Sequence, residues 1–170
     1  MISTTMQKLI NDQIQKEFFS AYFYLSMKAW FAAQNLDGFA NFFDVQMKEE
    51  RDHALKFFDY MNHVGGTVTL QAIQAPPATF ASPLDVFEQT LAHEQLVTAS
   101  IYNLVNLAVE EKDHKTNAFL QWFVTEQAEE ENTAESNVRK LQLIRDNPQG
   151  LFMLDAELAK RVYTPIAAAP

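Results

Sequence analysis

Apolar residues recur at steps of three and four through most of the chain, which is the spacing of one face of an amphipathic helix. Glycine and proline, which break helices, are confined to a few positions between such stretches. Together with a tight link at 112–115, these breaks predict five helices, over residues 4–34, 39–64, 83–111, 115–145 and 151–160. The chain is therefore predicted to be all-α.

The stretch between the second and third predicted helices is rich in proline and has no helical periodicity. It covers the sixteen residues 67–82, and extended at roughly 3.3 Å per residue such a stretch reaches about 50 Å. Helices of about 26 to 31 residues are about 40 to 45 Å long at ~1.5 Å per residue. We therefore predict a four-helix bundle with one long crossover between its second and third helices, followed by a short fifth helix.

Composition fits one globular domain over residues 1–170. Hydrophobic residues make up 48% and charged residues 21% of the chain, whereas a disordered chain is poorer in apolar residues. No apolar run approaches the roughly 18 residues of a membrane span. The first twenty residues carry acids and amides where a signal peptide has its apolar core. We expect a cytoplasmic protein.

Charge and cysteine content restrict the ligands. The formal net charge of −9 repels nucleic acid and anionic lipid and concentrates cations, so neither nucleic acid nor membrane is an expected partner. The chain has no cysteine, which excludes disulfides, thiolate metal sites and iron–sulfur clusters. Any metal ion must have oxygen or nitrogen ligands.

One such pair of ligands lies in the second predicted helix. Glu50 and His53 are three residues apart and share a helix face, so both side chains can reach one metal ion. A carboxylate and an imidazole suit iron, manganese or zinc, and the pair does not choose among them. Glu-x-x-His is by itself a weak signal, because it arises by chance in many helices.

An internal repeat strengthens the signal. Glu50 follows Glu17 at the same interval at which Gln127 follows Glu94. The second pair follows the first at a constant difference in residue number. Adding the same difference to Glu49, Asp52 and His53 gives three acids, Glu126, Glu129 and Glu130. Each pair of helices thus supplies the same pattern of polar positions. A bundle with pseudo-twofold symmetry would bring the two sets face to face, as a dinuclear carboxylate site requires.

Two of these acids stand on apolar stripes. Glu17 follows Ile10 and Ile14 at helical spacing, and Glu94 shares a stripe with Leu91 and Ile101. An ionised carboxylate is costly to bury alone, and that face of the first helix offers no lysine or arginine. Tyr24 lies seven residues after Glu17, which places its hydroxyl near the same site even though core packing explains most of the aromatic run around it.

The fourth predicted helix carries five acids, for which a solvated acidic face is the alternative interpretation. We prefer that interpretation for Glu131 and Glu135. The repeat register favours a metal-binding role for Glu126 and Glu130, and it leaves Glu129 open. The other three histidines lack such placement and are expected to be structural or surface residues: His63, His93 and His114.

These residues resemble the pattern of the haem-free bacterial ferritins over essentially the whole chain. The motifs that carry the resemblance are Glu17 with Tyr24, KEERDH at 48–53, AHEQ at 92–95 and TEQAEE at 125–130. The resemblance implies a ferritin-like bundle that oxidises Fe²⁺ with O₂ or H₂O₂ at a dinuclear iron site. It also implies a cage of identical subunits in which the ferric product is stored as mineral. The last helix resembles the segment that lines the fourfold axes of a 24-subunit shell.

The resemblance also implies roles for individual residues. The first iron ion would be bound by Glu17, Glu50 and His53, and the second by Glu50, Glu94 and Glu130. Gln127 and Tyr24 would form hydrogen bonds around the pair. A third iron site would be formed by four residues: Glu49, Glu126, Glu129 and Glu130.

Two positions refine what the resemblance implies. Gln127 and Glu130 stand where a symmetric di-iron protein has a second Glu-x-x-His, so the second iron ion lacks a histidine and the pair is expected to be mobile. Asp52 stands where bacterioferritins have the methionine that binds haem, so no haem is expected. The alternatives are a di-iron oxidase or oxygenase acting on an organic substrate, and an acidic helical scaffold with merely solvated glutamates.

Overall fold

The computed structural model of the chain describes residues 2–166. Within that range all regular secondary structure is helical, as predicted. The five helices are α1 (Thr4–Ala32), α2 (Asp37–His63), α3 (Pro83–Glu110), α4 (His114–Ile144) and α5 (Pro148–Leu158). Among the described residues, no helix is long and apolar enough to cross a membrane.

Contacts between the helices fix their directions. Lys28 of α1 pairs with Asp44 of α2 at 2.7 Å, so these two helices are antiparallel about the turn that joins them. The Lys16 Nζ atom of α1 donates to Ser100 Oγ of α3 at 2.6 Å, and Ser20, one turn later, meets the earlier His93 at 2.7 Å. Because α1 is antiparallel to both, α2 and α3 run in the same direction. Two parallel helices that follow each other in sequence require a crossover.

That crossover, residues 64–82, runs along α1 in extended form. Asn11 binds the Thr67 carbonyl and the Thr69 amide at 3.0 and 2.8 Å. Further along, Ser26 donates to the Pro77 carbonyl. The segment therefore returns from the end of α2 to the beginning of α3, which confirms the predicted long connection.

The core consists of two apolar clusters, one toward each end of the bundle. The first contains Phe31, Phe43 and Phe87, and the second contains Ile10, Phe57 and Phe123. Each of the four long helices contributes to both clusters, and each carries a buried glutamate between its two contributions. These glutamates are Glu17, Glu50, Glu94 and Glu130. The two clusters thus enclose a polar layer in the middle of the bundle.

The fifth helix differs from the prediction. It begins at Pro148 instead of residue 151, because proline is favoured at the first helical position and the Asn147 side chain caps the helix. Gly38, which the sequence suggests as a turn residue, lies inside α2, where a Cβ atom would be 1.7 Å from the Asp155 carbonyl oxygen. Asp155 Oδ1 also accepts a hydrogen bond from the Phe39 amide at 3.0 Å and so caps α2. The short helix is therefore docked on α2.

Candidate metal centre

Glu17, Glu50 and His53 come together in the polar layer. They lie on two adjacent antiparallel helices, and ligand atoms from all three are within 4.8 Å of one another. At most 2% of each residue is exposed. The Nδ1 atom of His53 is 3.5 Å from Oε2 of Glu50, so the two members of Glu-x-x-His do face the same point.

Each member of this group has a buried atom without a hydrogen-bond partner. These atoms are Glu17 Oε2, Glu50 Oε1 and His53 Nε2. Buried polar atoms are normally hydrogen-bonded, and unpaired ones call for an explanation such as an ion. Two carboxylates and an imidazole are suitable ligands for a divalent transition metal. The residues present therefore fit a metal ion.

The opposite half of the layer is built by α3 and α4. Glu94 accepts hydrogen bonds from the Tyr24 hydroxyl and, at 3.2 Å, from Gln127 Nε2. Glu130 accepts one from Gln46 Nε2 at 2.9 Å. The structure thus brings Glu94, Glu130 and Gln127 to the layer that contains Glu50, as the repeat predicts, and it brings Tyr24 there, as its spacing from Glu17 predicts. Their roles at a metal site stay predictions.

Burial and mutual repulsion disfavour ionised carboxylates here. Burial, followed by the charges of Glu94, Glu17 and Glu130, raises the pKa of Glu50 well above its usual value. Burial is also the largest cause that raises the pKa of Glu94 to about 8, with Glu130 adding to it. A bound cation would reverse this balance by stabilising the ionised forms.

A second acidic group adjoins this layer. Burial raises the pKa of Glu49 to about 7, although Arg161 opposes the shift from 2.6 Å away. Burial likewise raises the pKa of Glu126, whose Oε1 atom lies 3.9 Å from His53 Nε2. Glu129 is exposed on α4. Within residues 2–166, only the group of Glu17, Glu50 and His53 has three acid or histidine ligand atoms within 4.8 Å.

Comparison with known proteins agrees with this arrangement. The family model described as "Ferritin-like domain" matches residues 7–144, which is most of the chain. The chain belongs to the ferritin family. It is 41% identical over 163 residues to the "Bacterial non-heme ferritin" of Staphylococcus epidermidis, covering 96% of this chain and 98% of that protein. The protein of the same name from Staphylococcus aureus strain USA300 is 39% identical with the same coverage.

Solved ferritin structures are similar throughout. A structure described as "Humanized Archaeal ferritin" has a TM-score of 0.96 and 45% identity, covering 97% of this chain and all of that one. A "novel open pore ferritin" from Archaeoglobus fulgidus has a TM-score of 0.95 and 46% identity, covering 95% of this chain and all of that one. The predicted resemblance to haem-free bacterial ferritins is confirmed. None of these relatives favours an oxygenase acting on an organic substrate.

Sequence reasoning missed two amides that position candidate ligands in this ferritin. Gln13 Nε2 donates to Glu17 Oε1 at 2.7 Å, and Gln46 donates to Glu130. Gln13 precedes Glu17 by one helical turn, and Gln46 precedes Glu50 by the same step, so both amides follow the register of the candidate ligands. This shared spacing was the sequence signal from which the two amides could have been predicted.

The remaining histidines are not gathered at the site. His63 and His114 are exposed. His93 is packed against Phe23 and Tyr24, and burial lowers its pKa to about 4, so it is neutral in this ferritin. Its Nε2 atom shares a hydrogen bond with Ser20, which gives it a structural role. Arg161 was also missed, because nothing in the sequence links a residue beyond the last helix to Glu49.

Proposed function

We propose that this ferritin stores iron by oxidising Fe²⁺ at a pair of metal positions inside its bundle. The convergence of Glu17, Glu50 and His53, with an unpaired buried carboxylate oxygen on each glutamate, is the observation that carries the proposal. The family assignment supports iron as the metal ion. Iron is here the substrate and cargo of the protein.

The first Fe²⁺ would be bound by Glu17, Glu50 and His53, and the second by Glu50, Glu94 and Glu130. Glu50 would be shared, and its position supports this, since Glu94, Glu17 and Glu130 are the acids whose charges act on it. Tyr24 and Gln127 would hold Glu94 in place through the hydrogen bonds described above. Glu49, Glu126, Glu129 and Glu130 would provide a third position.

In the reaction, two Fe²⁺ ions lose one electron each. The two electrons reduce one O₂ to H₂O₂, or one H₂O₂ to two water molecules, with protons taken from the surroundings. Negative carboxylates stabilise the increased charge of the two Fe³⁺ ions and hold them near each other. Glu130 would provide an oxygen ligand where a symmetric di-iron protein has a second histidine, and the ferric ions would then leave for storage, as the resemblance to haem-free ferritins implies.

Storage requires an enclosed space, which a homo-oligomer would provide. Large apolar side chains exposed on the single chain support such an assembly, because oligomers bury such surface between copies. They include Leu70, Leu96, Val109, Phe152 and Met153. A 24-subunit cage, a cytoplasmic location and the absence of haem stay predictions.

The proposal is tested by adding Fe²⁺ in air to metal-free protein and following ferric absorbance. We expect the double variant Glu50→Ala, His53→Ala to lose more than the roughly 10–100-fold that removing an outer-shell partner costs, because two direct ligands are gone. The matched control is Glu135→Ala, His63→Ala, which removes the same two residue types from exposed positions. Chromatography of the native proteins checks that each variant assembles.

Equal initial rates for wild type and the Glu50→Ala, His53→Ala variant would refute oxidation at this site. A loss of rate in the control variant as large as that in the site variant would also refute it. Oxidation would then depend on acids and histidines in general.

A further inference from the structure

Residues 159–166 follow α5 and lie along α2; they are called the strap below. Near its beginning, Asn41 Nδ2 donates to the carbonyl oxygens of Leu158 and Arg161 at 3.2 and 3.0 Å. Near its end, the Tyr163 hydroxyl donates to Asp52. The strap is thus fastened to α2 on both sides of Glu49.

Arg161 reaches Glu49 from the strap. Its Nη2 atom is 2.6 Å from Glu49 Oε2, and its guanidinium carbon lies 4.5 Å from the centre of the Phe42 ring. The Arg161 side chain is 25% exposed and the Glu49 side chain 20%. A charge-assisted hydrogen bond that is partly shielded from water is stronger than an ordinary surface ion pair. With a quarter of the Arg161 side chain exposed, the contact nevertheless borders solvent.

The acid that Arg161 binds belongs to a group. Glu130, Glu126 and Asp52 all act electrostatically on Glu49, and Arg161 acts on Glu126 as well as on Glu49. The Nε2 atom of His53, whose side chain is 2% exposed, has no hydrogen-bond partner and lies 3.9 Å from Glu126 Oε1. Neighbouring acids that repel one another and a buried, unpaired imidazole nitrogen together indicate a place for a cation. In this structure Arg161 is the cation that forms an ion pair with this group.

We infer that Arg161 is the resident cation of the group formed by Glu49, Glu126 and Glu130, and that it competes with a further metal ion for this group. This inference rests on the proposed function of the adjoining dinuclear site. The guanidinium, 2.6 Å from Glu49 Oε2, takes up one lone pair of that oxygen and places a positive charge beside the group, and both effects weaken the binding of a metal ion there. Arg161 therefore limits the number of metal ions that a subunit binds tightly. The Nη1 atom of Arg161 is buried without a partner, which makes the ion pair incomplete and easier to displace.

The test is anaerobic calorimetric titration of metal-free, assembled protein with Fe²⁺. We expect wild type to bind two ions per subunit tightly and any third ion weakly. Arg161→Gln removes the charge, so the third ion should bind on the order of tenfold more tightly while the first two are unchanged. Arg161→Lys keeps a cation on the strap and should behave like wild type.

Two controls separate the local effect from net charge. Arg139→Gln removes an arginine from an exposed ion pair with Glu135 on α4 and should leave all binding steps unchanged. Adding Glu49→Gln to Arg161→Gln should abolish the gain, because the oxygen that Arg161 releases is no longer charged. Melting temperatures and native sizes show that all variants are folded and assembled.

The inference is overturned if Arg161→Gln binds the third ion no better than wild type while the first two still bind. It is also overturned if Arg139→Gln gives the same gain. Failure of wild type to bind any Fe²⁺ would instead refute the proposed function, and with it this inference.

Discussion

The two halves of the polar layer place polar side chains at equivalent positions of the repeat, but the hydrogen bonding of these side chains differs. In the α1–α2 half, Glu17, Glu50 and His53 each have a buried atom without a hydrogen-bond partner. In the α3–α4 half, both oxygens of Glu94 accept hydrogen bonds, as does one oxygen of Glu130. The internal repeat thus produces matching positions without producing matching environments.

The difference follows from a few substitutions within the repeat. Gln127 occupies the position equivalent to Glu50 and donates to Glu94, where a second glutamate would only accept. We therefore interpret the α1–α2 half as a preformed position for the first metal ion. The α3–α4 half has to exchange protein hydrogen bonds for metal ligands, so the second ion should bind more weakly.

The most direct way to remove this difference is to make α4 match α2. In the double variant Gln127→Glu, Glu130→His, α4 acquires its own Glu-x-x-His and Glu94 loses the amide that engages its Oε2 atom. We expect the second Fe²⁺ to bind about tenfold more tightly or better, because an imidazole and a further carboxylate become available. The measurement is removal of Fe²⁺ by a chelator under anaerobic conditions, which should become slower for the second ion only.

The matched control for that variant is Glu135→His, which puts an imidazole on the exposed face of the same helix. It should leave both release rates unchanged. If the double variant releases both ions as wild type does, the asymmetry of the two halves does not arise from these two positions.

A smaller effect is expected on the stability of metal-free protein. The pKa of Glu94 is about 8 in the folded chain against 4.5 for an unperturbed glutamate, so the folded state holds this proton more tightly. The stabilisation of the folded state by this proton is complete below about pH 4.5 and is lost as the pH rises to about 8. We expect the melting temperature in the presence of a chelator to fall by a few degrees between roughly pH 5 and 8. Glu94→Gln should reduce that fall, because glutamine stays neutral.

Glu135→Gln is the control for this series, since it neutralises an exposed acid. If the melting temperatures of wild type, Glu94→Gln and Glu135→Gln change in parallel with pH, the buried carboxylate does not contribute to the pH dependence. A divalent metal ion should raise the melting temperature most at high pH, where its ligands are already ionised.

Most of the fold can be predicted from the sequence, because helix breakers and apolar periodicity are local signals. The start of α3 is one example, since Ser82 and Pro83 encode a cap and a first helical position. The start of α5 was misplaced because Pro148 is equally typical of a linker and of a helix start. The role of Gly38 depends on contact with Asp155, which lies in another helix and leaves no local trace.

For the site, sequence register predicted which glutamates share the buried layer but said nothing of their hydrogen bonds. The four buried acids follow from the equal spacing within the two helix pairs, together with their positions on apolar stripes. Whether a carboxylate oxygen is free or engaged depends on side chains from other helices, such as Tyr24 on Glu94 and Gln46 on Glu130. Arg161 reaches Glu49 only through the docking of α5 and the strap.

The most direct test of two unequal metal positions is crystallographic. Crystals equilibrated anaerobically with one Fe²⁺ per subunit, and then with an excess, can be examined by anomalous scattering at the iron absorption edge. We predict a first peak among Glu17, Glu50 and His53, and a second peak near Glu94 and Glu130 only in excess iron. A first peak beside Glu94 and Glu130, or no peak among Glu17, Glu50 and His53 at either level, would contradict the account.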